Sequence, residues 1–235
     1  MRVAALALVL PSLVPWSAHA CGLTPPIGPN GLPAVCRGES QSLRLRVGVS
    51  VGGTATRIKF ADREAELQQA AVAATVDASP LDALTVSAVA GVALGGHVDL
   101  DVRHTMRPGW LAGLGVSYRI LDGRGALPFV QASFTYSIAR ATTRAPTDAE
   151  ATFTSKDWRL GLSVGKAFGI VAPFVVARFF GAGTDWSVAG GKGADAYRYH
   201  AGVGSAVALG DHLDALMELA FLGERRLSAG VGWTF

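Results

Sequence analysis

Apolar and polar residues alternate along most of this chain with a period of two. In "SLRLRVGVSVG" Leu43, Leu45, Val47, Val49 and Val51 alternate with Arg44, Arg46, Gly48 and Ser50. "ALTVSAVAGVAL" does the same with Leu84, Val86, Ala88, Ala90 and Val92, and "FVQASFTYSI" with Val130, Ala132, Phe134, Tyr136 and Ile138. The chain ends in "RRLSAGVGWTF", where Leu227, Ala229, Val231, Trp233 and Phe235 share one parity. Such runs predict strands with one wet and one dry face. Ten are predicted: 42–52, 66–78, 83–95, 108–120, 126–139, 156–167, 171–182, 195–208, 212–222 and 226–235. The second is alanine-rich enough to suit a helix as well, so eight strands is the alternative if residues 42–78 do not pair.

The connections are of two kinds. "SPLD", "DGRG", "FG" and "LGDH" are tight turns by their Gly, Pro, Asp and Ser content. Between them lie longer polar segments at 53–65, 96–107, 140–155 and 183–194, and only "GERR" is short where a long one is expected. Long loops at one end and short turns at the other are the habit of transmembrane barrels. "PFVQASF" from Pro128 and "PFVVARF" from Pro173 form a partial repeat. Each opens a strand just after a turn, where proline's missing donor matters least.

If the dry parity faces lipid, aromatics should gather at the membrane borders. Trp110, Tyr136, Trp158, Phe179, Tyr197, Tyr199 and Phe221 fall on that parity near the long-loop ends, and Tyr118, Trp233 and Phe235 at the other end. A soluble sandwich would instead bury its aromatics in mid-strand. Ten residues at about 3.3 Å each, tilted by about 40°, cover the ~25 Å apolar band of such barrels. No backbone donor can stay unpaired in lipid, so the sheet must close.

The tail resembles the C-terminal assembly signal of bacterial outer-membrane β-barrel proteins: Ser228, Gly230, then aromatics at Trp233 and Phe235. The resemblance implies an all-β, closed antiparallel up-and-down barrel over 41–235. It also implies recognition by the barrel-assembly machinery during biogenesis and contact with outer-membrane lipid, and it names no subfamily.

Composition fits. Half the 235 residues are apolar, 17% are charged, and no apolar run reaches the ~18 residues of a spanning helix. The +3 net charge is scattered and supports no nucleic-acid partner. Residues 1–20 read as a signal peptide with Ala18 and Ala20 at an A-x-A cleavage site. Residues 21–40 read as a Pro/Gly-rich periplasmic segment, with a plug folding into the lumen as the other arrangement. In an oxidising compartment Cys21 and Cys36 are expected to pair; lipid attachment at Cys21 is the rival.

The opposite parity places Arg44, Arg46, Asp77, Arg119, Arg159, Arg178, Arg198, His200, Asp214, Glu218 and Arg226 inside the barrel or at its rims. Small barrels fill their interior, so an internal charge lattice is expected. Arg198 or Arg44 is expected to reach Glu218. Seven arginines against three carboxylates leave an anion-biased pore as the alternative. "HVDLDVRH" offers His97, Asp99, Asp101 and His104. Asp99-x-Asp101 resembles half of the omptin protease site, a ten-stranded family, but the matching Asp-x-His pair is absent because Asp211 and His212 are adjacent at a turn. A weak divalent-cation site and a plain solvated loop are the other readings of this segment, the plain loop being preferred. No Ser-His-Asp spacing is recognisable. The expectation is therefore a non-enzymatic outer-membrane barrel without cofactor or metal, structural or surface-interacting, with loops presented outward; a narrow anion-biased passive pore ranks second and an omptin-like or lipid-modifying enzyme third.

Overall fold

The computed structural model describes residues 23–24, 34–35, 44–61, 63–123 and 126–235. The signal peptide, Cys21, Cys36 and most of the 21–40 segment lie outside the described residues. Strands run β1 Leu23–Thr24, β2 Ala34–Val35, β3 Arg44–Phe60, β4 Arg63–Leu81, β5 Leu84–Asp99, β6 Arg103–Met106 and β7 Gly109–Asp122. They continue as β8 Phe129–Arg144, β9 Glu150–Gly165, β10 Val171–Trp186, β11 Gly191–Asp195, β12 Tyr199–Ala208, β13 Leu213–Gly223 and β14 Arg225–Thr234. The only helical turn among them is a 3₁₀ turn at Ser187–Ala189. No helix among the described residues is long and apolar enough to cross a membrane, which says nothing of strands.

β3 to β14 form one antiparallel sheet of twelve strands, with β1 and β2 paired separately. A closed circuit runs through β3, β4, β5, β7, β8, β9, β10, β12, β13 and β14 and returns to β3. The closing seam is long, from Arg225 opposite Ala55 to Thr234 opposite Arg46. Beyond it the Phe235 amide donates to the Leu45 carbonyl at 2.9 Å. Outside the circuit, β1 lies against β7 and β8, and β2 against β12 and β13.

The strand count corrects the expected ten. β6 continues the line of β7 but is cut from it at Arg107–Pro108, where proline has no N–H for the ladder. β11 is likewise separated from β12, because the chain between them turns aside: the Ala196 amide donates to the Arg57 carbonyl of β3 at 2.8 Å. That detour closes a notch. The β13–β14 hairpin turns early, and above it β11 pairs with β3 through Ala194–Lys59 and Asp195–Ile58. The alanine-rich second segment is strand, paired with β3 from Arg44–Ser79 to Phe60–Arg63, so the eight-strand and helix alternatives are excluded.

The long polar loops are also corrected. Residues 53–60, 96–99, 103–106, 140–144, 150–155, 183–186 and 191–195 continue the strands. The 17 residues of β3, at about 3.3 Å each and about 40° tilt, rise about 43 Å, well beyond an apolar band of about 25 Å. What changes along a strand is which face is apolar. Low on β3, Leu45, Val47, Val49 and Val51 point outward and stay exposed, while Arg46, Gly48 and Ser50 are buried inside. High on β3, Arg57 and Lys59 point outward, while Ile58 and Phe60 are buried inside.

That exchange is what a change of outer solvent would produce: beside hydrocarbon polar groups retreat inward, and beside water the interior becomes the dry place. The apolar belt runs round the whole lower wall, a surface that water does not tolerate on a monomer. On that belt Trp110, Tyr136, Trp158, Phe179, Tyr199 and Phe221 are outward and exposed near its upper edge, with Tyr118, Trp233 and Phe235 toward the lower. Tyr197 is half-buried between β11 and β12.

Candidate functional site

The lumen concentrates the buried polar chemistry, in tiers. In the lowest, β3 carries Arg46 opposite Asp77 of β4. Its Nη1–H donates to Asp77 Oδ2 at 3.0 Å, and Nε and Nη2 grip Asp214 of β13 at 3.0 and 2.6 Å. Ser87 donates to the other Asp77 oxygen. To reach Asp214 the guanidinium must cross β14, and it does so over Gly232: a Cβ there would lie 2.0 Å from Arg46 Nη2. The glycine parity of the last strand is therefore a channel for an arginine.

In the middle tier Arg178 of β10 forks onto Glu218 of β13, with Nη2–Oε2 at 2.7 Å, and its Nη1 lies 2.9 Å from His200 Nε2. Glu218 is fully buried. Beside this tier and below it, Phe129, Phe174, Ala206 and Leu216 form an inward apolar cluster, the Phe174 ring occupying the space a side chain at Gly204 would need.

In the upper tier Arg159 of β9 donates to both oxygens of Glu224 at 2.8 and 2.9 Å and to Asp157 at 2.6 Å. It also lies 4.9 Å over the Phe180 ring. Arg226 stands 3.8 Å and His200 Nδ1 3.7 Å from Glu224 Oε1. Above them Asp195 closes the notch. Burial pushes its carboxyl up to about 7, helped by the negative charges of Asp157 and Glu224 and opposed by Arg159. The top is dry. Trp186 is fully buried among Phe60, Phe153 and the edge of His104, and its indole N–H donates to Thr143 Oγ1 at 2.8 Å.

Most residues expected inside are there: Arg46, Asp77, Arg119, Arg159, Arg178, His200, Asp214, Glu218 and Arg226 are inward and buried or nearly so, and Arg44 is half-buried below Arg46. Arg198 is not; it is exposed between β11 and β12, and Arg178, rather than Arg198 or Arg44, meets Glu218. Sequence reasoning missed Asp157, Asp195 and Glu224. Asp157 precedes Arg159 by two residues and so shares its face, a spacing that could have found it. Glu224 sits in the "GERR" turn, which reads as solvated until the ring closes around it. With these included, Arg44, Arg46, Arg119, Arg159, Arg178 and Arg226 are matched by Asp77, Asp157, Asp195, Asp214, Glu218 and Glu224. The expected excess of positive charge is absent among the described residues.

The "HVDLDVRH" side chains are dispersed. Asp99 is half-buried on the outer surface, its carboxyl held below the usual range by hydrogen bonds from Arg103 at 2.9 and 2.8 Å. Asp101 pairs with Arg63, and His97 Nε2 lies 3.7 Å from Asp99. His104 alone turns inward, against Trp186. The two aspartates thus face guanidinium groups outside the barrel, with no lumen cleft between them.

No family model and no curated protein matches this sequence. Among solved structures, the outer membrane protease OmpT from Escherichia coli is similar in fold, with TM-score 0.50 and 10% identity over 82% of this chain and 96% of that one. The translocator domain of the autotransporter NalP from Neisseria meningitidis follows at TM-score 0.47 and 14% identity, covering 84% and 90%. Identity this low speaks for fold alone. Together with the hydrogen-bonded ring, the OmpT likeness makes this chain an all-β protein with the architecture of a bacterial outer-membrane barrel.

Proposed function

We propose that this chain is an integral outer-membrane barrel with a closed lumen, serving a structural or surface-presenting role through its projecting upper wall. One observation carries this reading: stacked, charge-matched side chains cross the lumen and end under a dry cap around Trp186. A conducting pore needs a continuous wet path and a field that passes ions. Neither fits a core in which Arg46, Arg159, Arg178 and Arg226 each face a carboxylate. In this reading Ser228, Gly230, Trp233 and Phe235 serve as the assembly signal, the exposed aromatics mark the membrane borders, and Cys21–Cys36 closes the periplasmic segment.

The test is planar-bilayer recording of the refolded, processed chain. The expected record has no steady openings, and Arg198→Ala, outside the lumen, leaves it unchanged. Sustained wild-type conductance with anion preference would establish the pore instead.

A further inference from the structure

Above the β13–β14 turn the wall is completed by one short segment. β11 joins β3 only through Ala194–Lys59 and Asp195–Ile58, with one further bond from the Ala196 amide to the Arg57 carbonyl. Below it, β14 joins β3 without a break from Arg225–Ala55 to Thr234–Arg46. On its other side β11 is paired with β10 from Gly183–Ala194 to Trp186–Gly191. Gly190 and Gly191 stand at its start with φ of 84° and 109°, and residues 196–198 beyond it belong to no strand. Local opening concentrates where few backbone bonds hold an element. β11 is thus a strap, firmly held by β10 and lightly held by β3.

The strap carries one inward carboxyl group. Asp195 lies opposite the inward, buried Ile58, is half-buried itself, and forms no ion pair among the described residues. The Ala182 amide of β10 donates to it. The charged groups facing it are Asp157 and Arg159 of β9, Glu224 of the β13–β14 turn and Arg226 of β14. His200 of β12 stands among them, with Arg178 of β10 one tier lower. β3 turns Thr56 and Ile58 toward the lumen and Arg57 and Lys59 away from it, and the strap's own Lys192 is exposed. Arg159 and Arg226 already balance Asp157 and Glu224. His200 stays neutral, because its Nε2 sits 2.9 Å from the Arg178 guanidinium, where only a lone pair fits. An ionised Asp195 is therefore one buried negative charge more than this tier can pair. The displacement of its carboxyl to about 7, caused first by burial, accords with that excess. The same place is short of hydrogen bonds: Thr56 Oγ1, Asp157 Oδ1, Thr184 Oγ1 and His200 Nδ1 are buried without a hydrogen-bond partner among the described residues. Water admitted here would satisfy all four.

We propose that β11 is a pH-operated strap: with Asp195 protonated it stays zipped to β3 and the notch is shut, and ionisation of Asp195 releases the β11–β3 seam and admits water to the upper charge tier. The released strap remains paired with β10. Because the open form exposes the carboxyl and prefers it charged, each pH unit between 3.8 and about 7 favours opening by up to about tenfold, and the gain levels off above that. The tiers of Arg46 and Arg178 and the cluster around Phe129 and Phe174 lie lower and stay in place, so the opening makes no path through the lumen.

The experiment is hydrogen exchange of the full processed chain, refolded in detergent and followed by mass spectrometry between about pH 5 and pH 8. Protection factors, from which the intrinsic pH dependence of exchange cancels, are compared for peptides covering 193–198 and for the β3–β14 seam. In the wild type, protection of 193–198 is expected to fall at least about tenfold from pH 5 to pH 7 and then to level off, while the β3–β14 seam changes little. Asp195→Asn keeps the acid-side protection at every pH. Lys59→Cys with Ala194→Cys, a directly opposed and outward pair, staples the strap once oxidised and holds its protection at pH 7 as well. Wild-type protection that does not vary with pH overturns the proposal. So does a variation that persists in Asp195→Asn, or an equal loss along the β3–β14 seam. Should Asp195→Asn not fold, the stapled chain decides, and loss of protection as steep as the wild type's overturns the strap. Planar-bilayer silence depends on the lower tiers, so the closed-lumen reading is judged separately.

Discussion

At the scale of single residues, the lumen shows how charges survive inside a small barrel. An ionised group removed from water is tolerated only when its partner is in place. Glu218 is fully enclosed and Arg178 is its ion-pair partner, with His200 alongside. Replacing Arg178 with Met strands the carboxylate and should destabilise the refolded barrel by about 3–5 kcal/mol. Adding Glu218→Leu to that variant should recover most of the loss. Denaturant unfolding of both variants tests this, and a double variant no better than the single would deny the pairing. Asp195 gives the opposite sign of effect. Its carboxyl titrates near 7 in the folded chain against 3.8 for a free one, so the native state binds the extra proton and stability falls as pH rises between those values. Asp195→Asn should therefore melt higher than wild type at pH 8, and the advantage should shrink on acidification and vanish near pH 4. A pH-independent gap between the two melting curves would contradict it. Parity along the strands was enough to turn Arg46, Arg178, Asp214 and Glu218 inward. It could not choose their partners, which reach one another across strands far apart in the chain.

At the scale of elements, two local events shape the strands. A proline without a donor separates β6 from β7, and the exchange of apolar face accompanies the continuation of β3, β4, β5, β8, β9 and β10 above the apolar belt. Where the surroundings change from hydrocarbon to water, the preferred orientation of every pair of positions reverses, and a reader tracking one apolar parity sees the strand end there. Glycine has a distinct task on β14. Gly232 leaves the path by which Arg46 reaches Asp214, so Gly232→Val should cost roughly the charge-assisted hydrogen bonds it displaces, about 1.5–3 kcal/mol. In an Asp214→Ala background the same change should cost much less, and a double-mutant cycle on thermal unfolding would show the coupling. Additive effects would mean that the glycine serves something other than that arginine.

At the scale of the whole molecule, closure decides the function that is available. The β3–β14 seam removes the sheet edges, β11 seals the notch left by the early β13–β14 turn, and the dry cluster around Trp186 covers the charge tiers. Residues 21–40, read from the sequence as a periplasmic segment, add one further expectation. In protein recovered from the cell envelope under non-reducing conditions, Cys21 and Cys36 should resist thiol alkylation and become reactive after reduction; free thiols before reduction would sink the pairing. The sequence by itself determined the lower part of the strands and which parity faces in there, because side-chain direction in a strand is set by its immediate neighbours; it missed their upper continuations. Only the tertiary structure decided which charges meet, where the dry face changes sides, and that the interior ends in an apolar cap. Those outcomes depend on what stands across the ring and on what surrounds it, and neither is a property of any one stretch of chain.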